Sequence, residues 1–310
     1  KMEASITLKK VGKLVGDKTI LAGLTFGIEK GTIVAIVGDN DAGKSTMLRL
    51  LAGLENPNYG SVFLHGLDTD KRRLETRQTV GYVPHDIDLD PWLTLEQNIH
   101  FDALLYGTHM EKIQSRIHEY SQALAVGDFL YSMAGRVPQG IQKKAMIIRA
   151  LAHDPTILIM DEPTAFMDAE SRRLTWNLMR EFHGDRTIVY SSQFLPEVEA
   201  ANDRIMVIHE GSVLLDGSLD KLLESTLEYH QFAIEFEELT DELFDSLSGV
   251  TTVVNPTKMG NTFHFYGRSR KVFFEVLNAC SGALMKDLSI EKLSLQDLLD
   301  SAFAQKGLDG

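Results

Sequence analysis

A lysine and a serine at the end of a glycine-containing loop are the residues of this chain best suited to phosphate chemistry. The loop reads Gly38-Asp39-Asn40-Asp41-Ala42-Gly43-Lys44-Ser45 and continues into Thr46. Its pattern, G-x-x-x-x-G-K-[ST], turns backbone N–H groups and a helix N-terminus toward phosphates, with the lysine on the β and γ phosphates and the serine on Mg²⁺. We therefore predict that residues 38–46 bind a nucleoside triphosphate.

A second pair of residues with catalytic potential lies further along the chain. Asp161 and Glu162 follow four apolar residues, which predict a buried strand. At the end of such a strand, Asp161 can hold Mg²⁺ opposite Ser45, and Glu162 can polarise the water that attacks the γ-phosphate. An Asp-Glu pair can also be a surface turn or a helix cap. The phosphate loop upstream is what favours the catalytic interpretation.

The elements that must position these residues alternate between strand and helix patterns. A nearly continuous apolar strand at 32–37 precedes the phosphate loop, and a helix carrying Met47, Leu48, Leu51 and Leu54 follows it. Residues 5–37 resemble an antiparallel edge, and strand-like runs recur at 156–160, 187–190 and 205–208. A helical pattern begins near Leu95. Such an order predicts an α/β fold with an antiparallel β edge, a parallel core sheet and a helical insertion.

Composition narrows the class of protein. The 310 residues leave room for about two domains, and the net charge of −13 argues against a nucleic-acid partner. A single cysteine, Cys280, permits no internal disulfide. The sequence has no apolar stretch of about 18 residues and no signal-peptide pattern at its start. Any association with a membrane is therefore expected to run through a partner.

The remaining part of the chain predicts a second, smaller domain. The turn at Asp216-Gly217 is expected to end the first domain, which we place at residues 1–225 with the insertion at about 93–150. Residues 226–310 then form a small C-terminal α+β accessory domain. Its predicted strands are 232–236, 251–254 and 262–266, and its predicted helices are 241–247 and 272–280.

Several segments resemble those of ABC-transporter ATPases, in the family's order and spacing. Residues 161–168, DEPTAFMD, resemble the Walker B segment and D-loop, and residues 81–85, GYVPH, resemble the Q-loop. Residues 93–99, LTLEQNI, are similar to the stretch that opens the helical subdomain, and residues 137–141, VPQGI, occupy the position of the family signature. Gln193 stands where the switch histidine is expected. The tail at 294–299, SLQDLL, resembles the extension of the type 2 exporter branch.

This resemblance implies roles for three residues that depart from the family pattern near the nucleotide. Val15 stands in place of the aromatic residue that stacks on adenine, so base binding should weaken. Asp41 replaces a glycine of the phosphate loop and brings a negative charge near the triphosphate. His85 replaces the Q-loop glutamine, and a neutral imidazole can still approach Mg²⁺ or the attacking water.

The signature and the switch position also depart from the family. In the family, the signature of one subunit caps the γ-phosphate bound by the other. Pro138 offers neither a hydroxyl nor an N–H for that task, and Gln139 adds a side chain where close backbone approach is needed. Gln193 can donate a hydrogen bond to the γ-phosphate but cannot carry a proton as histidine does. Catalysis is therefore expected to involve Glu162, Gln193 and His85, and to be slow.

The resemblance implies an ATP-binding subunit of an ABC exporter with a degenerate signature, using ATP and Mg²⁺. It would lie peripherally on the cytoplasmic face of the membrane, bound to a separate membrane-spanning permease. Its second cassette would be either a copy of itself or a different chain with an intact signature. Two alternatives remain: a regulatory or structural subunit that closes on ATP without useful hydrolysis, and a soluble non-transport ABC ATPase.

Overall fold

The computed structural model describes residues 4–200, 202–226, 230–267, 270–280, 283–291 and 294–299. The chain forms two compact units, Lys1–Ser218 and Leu219–Gly310. The domain boundary predicted after residue 225 falls within a helix, Leu219–Thr226, which belongs to the second unit. Residues 1–3 and 300–310, which the two predicted domains include, lie outside the described residues.

An antiparallel sheet forms one side of the first unit, as predicted for its first residues. The strand order is β2-β1-β4-β5. A turn at Gly16, whose φ of 59° suits glycine, joins the first two strands. The four strands are β1 (Ala4–Val15), β2 (Lys18–Glu29), β4 (Tyr59–Leu64) and β5 (Leu67–Asp68).

A second sheet forms the core of this unit, and the predicted parallel strands all belong to it. Its order is β10-β9-β3-β8-β7-β6, with only β10 antiparallel to its neighbour. The predicted turn at Asp216-Gly217 is wrong, because both residues end β10. The strands are β3 (Ile33–Gly38), β6 (Val80–Val83), β7 (Ile157–Asp161), β8 (Thr187–Ser191), β9 (Arg204–His209) and β10 (Ser212–Gly217).

Helices pack around this core, and three of them form the predicted insertion. The insertion begins with a capping box, in which Thr94 and Gln97 exchange side-chain and backbone hydrogen bonds. The helix after the phosphate loop ends at Leu51 and does not reach Leu54 as predicted, because Gly53 takes φ 66°. The helices are α1 (Lys44–Leu51), α2 (Arg73–Gln78), α3 (Leu95–Leu105), α4 (Met110–Ala123), α5 (Gln139–Leu151), α6 (Ala169–Glu181) and α7 (Leu195–Ala200), with 3₁₀ turns at Gly127–Phe129 and Ala134–Arg136.

The second unit has an antiparallel sheet of order β12-β13-β11-β14 and the order strand, helix, strand, strand, helix, strand, which is a ferredoxin-like arrangement. The strand predicted at 251–254 is wrong, since the strand begins at Val254, and β14 was not predicted. Its elements are α8 (Leu219–Thr226), β11 (His230–Phe236), α9 (Asp241–Ser248), β12 (Val254–Met259), β13 (Thr262–Gly267), α10 (Arg270–Ala279) and β14 (Met285–Glu291).

Alternating aromatic residues form the core of the second unit. Phe232, Ile234 and Phe236 of β11 and Phe263 and Phe265 of β13 are all fully buried. Their spacing of two puts them on one face of the sheet, as expected for strands half covered by helices.

Among the described helices of the whole chain, none has the length and apolar content needed to cross a bilayer.

Candidate nucleotide-binding site

The phosphate loop lies between β3 and α1, where two glycines are needed by the backbone. Gly38 has φ 152°, and a Cβ on it would lie 2.0 Å from the carbonyl oxygen of Ile208. Gly43 has φ 100° and caps α1, and a Cβ there would lie 2.8 Å from the side chain of Leu21. The glycines therefore allow the loop to pass close to its neighbours and to turn into the helix.

The residues between these glycines have different environments. Asp39 and Asn40 are exposed, whereas Ala42 is buried. Asp41 is exposed and has φ 64°, a conformation that aspartate tolerates better than most residues. The loop thus keeps the left-handed conformation that a glycine would adopt at this position. The remaining predicted effect of Asp41 is the negative charge that it brings near the triphosphate. Asp41 lies at the cleft described below.

Lys44 is buried at the first position of α1, and its ammonium is held by the loop itself. Its Nζ donates to the carbonyl oxygens of Gly38 and Asp39, both at 2.8 Å. Burial lowers the pKa of Lys44, and the carboxylates of Glu162 and Asp161 act in the opposite direction. The loop carbonyls therefore keep an ammonium at the cleft, where it can meet phosphate oxygens.

The two carboxylates stand at the end of β7, as predicted. Asp161 is 3% exposed, and its Oδ1 accepts a hydrogen bond from Ser191 Oγ at 2.6 Å. The same hydroxyl accepts from the backbone N–H of Glu162 at 3.0 Å. Ser191, the last residue of the neighbouring strand β8, thus fixes both residues of the pair. Sequence analysis did not identify it.

Glu162 is placed as a proton acceptor would be. Its φ of 47° is unusual for a residue other than glycine, and such strain often accompanies functional sites. Oε2 accepts from the backbone N–H of Gln193 at 3.2 Å, while the buried Oε1 has no protein partner. Burial raises the pKa of Glu162 above its usual range. An oxygen without a partner beside the cleft can accept a hydrogen bond from a water molecule.

Most of the residues predicted to bind the nucleotide or to take part in catalysis line one cleft of about 570 Å³. Ser45, Asp161 and His85, the predicted metal ligands, all line it, as do Glu162 and Gln193. Its lining comprises Lys18, Ile20, Asn40, Asp41, Gly43, Lys44, Ser45, Thr46, His85, Asp161, Glu162 and Gln193.

The donors at this cleft fit Mg²⁺ bound together with a nucleotide. In the described part of the chain, no group of three or more His, Cys, Asp or Glu residues is placed to hold a metal by itself. Mg²⁺ usually keeps few protein ligands and takes others from phosphates and water. A hydroxyl from Ser45 and a carboxylate from Asp161 are such a partial set, and their roles stay predictions.

Val15, His85 and the switch position Gln193 lie in different places. His85 and Gln193 line the cleft, and Gln193 Nε2 donates to Asn40 Oδ1 at 3.1 Å, which ties the switch position to the phosphate loop. Val15 is 62% exposed at the end of β1 and is not among the described residues that line the cleft. Lys18 and Ile20, on one face of β2, line it instead. Their i, i+2 spacing in a strand after the Gly16 turn puts both side chains on one face, and this spacing could have identified them from the sequence.

The segment predicted as the signature, residues 137–141, lies at the start of α5. Pro138 is the N-cap residue and makes no side-chain capping bond, and Gln139 is the first residue of the helix. Gly140 approaches the D-loop closely, since a Cβ on it would lie 2.7 Å from the carbonyl oxygen of Phe166. Residues 137–141 are absent from the described lining of the cleft.

A buried glutamate that sequence analysis missed connects the turn after Asp161 and Glu162 to the segment before Gln193. Glu197 is 6% exposed at α7. Its carboxylate accepts hydrogen bonds from Thr164 Oγ1 at 2.8 Å, Ser192 Oγ at 2.5 Å and Trp176 Nε1 at 2.9 Å. Thr164 follows the Asp-Glu pair and Ser192 precedes Gln193. A carboxylate satisfied by three donors can hold these segments in place.

Known proteins are similar to this chain in sequence. A family model described as ABC transporter matches residues 21–165. The ABC transporter ATP-binding protein NatA of Bacillus subtilis is 36% identical over 223 residues, covering 70% of this chain and 87% of that protein. A Nod factor export ATP-binding protein I of Burkholderia orbicola is 31% identical over 225 residues, covering 72% and 74%. The protein of that name in Cupriavidus metallidurans is 28% identical over 283 residues, covering 91% and 92%.

Solved structures agree with these relatives. One described as the ATP-binding subunit of an ABC transporter has a TM-score of 0.67 at 26% identity, covering 71% of this chain and 92% of that chain. A dimeric bacterial ABC transporter cassette has a TM-score of 0.64 at 25% identity, covering 69% and 98%. With its P-loop NTPase cassette fold, this chain belongs to the ABC transporter family as an ATP-binding subunit.

Proposed function

We propose that this chain couples ATP binding, and slow ATP hydrolysis, to the movement of a separate membrane-spanning permease in an exporter. The observation that carries the proposal is the convergence of Lys44, Ser45, Asp161 and Glu162 on one cleft. Two cassettes would close on ATP and reopen after hydrolysis. Because the permease would hold the chain, we place it peripherally at the cytoplasmic face of the membrane.

The residues of the cleft would divide the work of phosphoryl transfer to water. Loop N–H groups, the α1 N-terminus and Lys44 bind the β and γ phosphates. Ser45 and Asp161, with His85 nearby, hold Mg²⁺, which when bound neutralises charge on the phosphate oxygens. Glu162 Oε1 orients the attacking water and accepts its proton. Gln193 donates a hydrogen bond to the γ-phosphate.

Export is supported by the relatives and by how much of the chain one of them covers. Two of the relatives are named as Nod factor export ATP-binding proteins. The alignment to the Cupriavidus protein spans 91% of this chain, so it extends into the second unit. We therefore propose that the second unit, predicted as an accessory domain, belongs to the exporter-type architecture.

Coupling through the helical insertion is supported by a second cleft in the same unit. This cleft of about 580 Å³ shares Ser45, His85 and Asp161 with the nucleotide cleft. Asp102 of α3 and Tyr106, the residue that follows α3, also line it. A movement of α3 relative to the core would therefore reach the cleft that His85 lines.

Slow turnover is supported by Pro138, Gln139 and Gln193. A proline and a glutamine at the start of α5 make a poor cap for the γ-phosphate in a partner cassette. Two arrangements follow from this weakness. In a homodimer both sites turn over slowly, and in an asymmetric pair the partner's intact signature completes this chain's site.

Purification with a membrane partner tests the proposal. The chain is expressed together with a multi-spanning membrane protein encoded next to it, and we expect the two to purify as one complex with ATPase activity that Glu162→Gln abolishes. A complex that binds ATP but shows no turnover would favour the regulatory subunit. Failure of every neighbouring membrane protein to bind the chain would favour a soluble ABC ATPase and contradict transport.

A further inference from the structure

A fully buried lysine in the helix that follows the signature stands out among the charged residues. Lys143 on α5 is 0% exposed. Its Nζ donates to the carbonyl oxygens of Pro84 at 2.6 Å, His85 at 2.8 Å and Asp161 at 3.2 Å. An ammonium has three N–H donors, so these contacts use all of them. We call this set of three hydrogen bonds the Lys143 clamp.

The Lys143 clamp lies just beyond the point where the backbone hydrogen bonds between β6 and β7 end. Strands β6 and β7 pair in parallel up to Val83 and Met160. Pro84, the residue after β6, has no N–H to donate, so the ladder cannot extend. The carbonyl group of the buried Asp161 would be costly to leave without a partner, and those of the half-buried Pro84 and the exposed His85 also lie beyond the ladder. Lys143 supplies the missing donors from a third element.

The buried ammonium of Lys143 has carbonyl oxygens, and no carboxylate, as its hydrogen-bond partners. Taking an ammonium out of water is costly, and burial lowers the pKa of Lys143 to about 8. The carboxylates of Asp161 and Glu162 oppose this effect and favour the charged form. An uncharged side chain could fill the same volume at lower cost. The retained charge therefore points to a role in holding the two segments.

The two clamped segments carry two of the predicted metal ligands. His85 follows Pro84, Asp161 ends β7, and both side chains line the nucleotide cleft. Their backbone carbonyls are held by one nitrogen atom, so the spacing between the segments depends on Lys143. Since Lys143 belongs to the signature helix, a shift of α5 would move both segments together.

We propose that Lys143 is a positioning residue that fixes His85 and Asp161 relative to each other and links the signature helix to the metal end of the cleft. Its consequence for Mg²⁺–ATP rests on the proposed function. Its structural part, the fixed position of residues 84–85 relative to Asp161, does not. Outer partners of metal ligands typically change metal affinity by about 10- to 100-fold when removed.

Three variants of the full chain test the clamp. Lys143→Met removes all three donors at similar volume, and Lys143→Arg keeps the charge and several donors. Lys144→Met is the matched control, because Lys144 is also nearly buried on α5 but interacts with the carboxylates of Asp168 and Glu170. If Lys143→Met does not fold, Lys143→Gln, which keeps one amide donor group, replaces it.

The first measurement is hydrogen–deuterium exchange of the nucleotide-free protein. In Lys143→Met we expect the amides at the end of the paired strands, residues 82–83 and 160–162, to exchange about tenfold faster, with exchange in the second unit unchanged. Lys144→Met should leave these amides as in the wild type, and Lys143→Arg should restore much of the protection. Unchanged exchange at these amides in a folded Lys143→Met protein would overturn the proposal.

The second measurement is the Mn²⁺ concentration needed for half-maximal binding of a fluorescent ATP analogue. We expect it to rise about 10- to 100-fold in Lys143→Met, with metal-free binding within about twofold of the wild type. An equal loss in metal-free binding would overturn the proposal, because it would indicate general damage. If the wild type binds no nucleotide, the proposed function fails, while the exchange experiment still decides on the clamp.

Discussion

The nucleotide cleft and the start of α5 differ in what they offer to a bound nucleotide. In the cleft, Lys44 and Glu162 come from distant segments and line one cavity. At the start of α5, Pro138 provides no donor and Gln139 adds a side chain. Lys44 and Glu162, expected to serve this chain's own cleft, are present there, whereas Pro138 and Gln139 are poorly suited to the role expected at a partner's cleft. ATP binding and turnover can therefore be separated by experiment in this protein.

The largest effect is expected from Glu162, the carboxylate proposed to accept the proton of the attacking water. Glu162→Gln should lower turnover by about 100- to 10,000-fold, because the amide cannot accept the proton of the attacking water. ATP binding should persist, since Lys44 and the loop are untouched. Steady-state phosphate release and nucleotide titration measure the two quantities. The control is Glu170→Gln, an exposed residue of α6 that pairs with Arg173. Normal turnover in Glu162→Gln would remove this residue from catalysis.

The second prediction concerns the start of α5, where the segment predicted as the signature lies. Pro138→Ser combined with Gln139→Gly supplies a hydroxyl, an N–H and room for close approach at the α5 N-terminus. Because one such donor can be worth about 100-fold in related electrostatic sites, we expect at least a tenfold rise in turnover of a homodimer. ATP affinity of the isolated chain should not change. A homodimer with unchanged turnover would show that the signature does not limit the rate.

The switch position should have a smaller effect. Gln193→His introduces a group that can carry a proton near the γ-phosphate, and we expect turnover to rise severalfold, by less than about tenfold. The backbone N–H of Gln193, which donates to Glu162, stays in place. Phosphate release under single-turnover conditions measures the change. No gain in Gln193→His, together with a gain in the signature variant, would assign the slow step to the signature.

The smallest effect concerns the stability of the first unit, to which both the nucleotide cleft and α5 belong. His153 stacks on Tyr106 with ring centroids 3.8 Å apart, and its Nε2 lies 3.1 Å from the carbonyl oxygen of Val80. Burial lowers the pKa of His153 from 6.5 to about 4. Between these values the unfolded chain binds a proton that the folded chain does not, so stability falls as the pH drops from about 6.5 toward 4.

Replacing this histidine tests that effect. From pH 7.5 to 5.0, the wild-type free energy of unfolding should fall by about 2 kcal/mol more than that of His153→Phe, which keeps the stack and cannot titrate. Urea unfolding of the first unit measures the difference. An equal acid sensitivity in both proteins would show that His153 is protonated in the folded state. His118→Phe, at the surface of α4, is the control.

The phosphate loop and the carboxylate pair could be predicted because each is a short contiguous pattern beside a buried strand. Ser191, Glu197 and Lys143 could not, because each acts through contacts with residues distant in sequence. Local geometry also limited the prediction of elements. Gly53 ends α1 before Leu54, and the exposed residues along β14 lack the alternation that marks a half-buried strand.

Calorimetric titration of the purified full chain with ATP and Mg²⁺ tests the central claim most directly. The wild type should take up one nucleotide per chain, and Lys44→Ala should lose at least about 100-fold in affinity, because the ammonium that meets the phosphates is gone. Gln139→Gly, which changes only the signature, should bind as the wild type does. No heat of binding in the wild type, or equal binding by Lys44→Ala, would contradict the account.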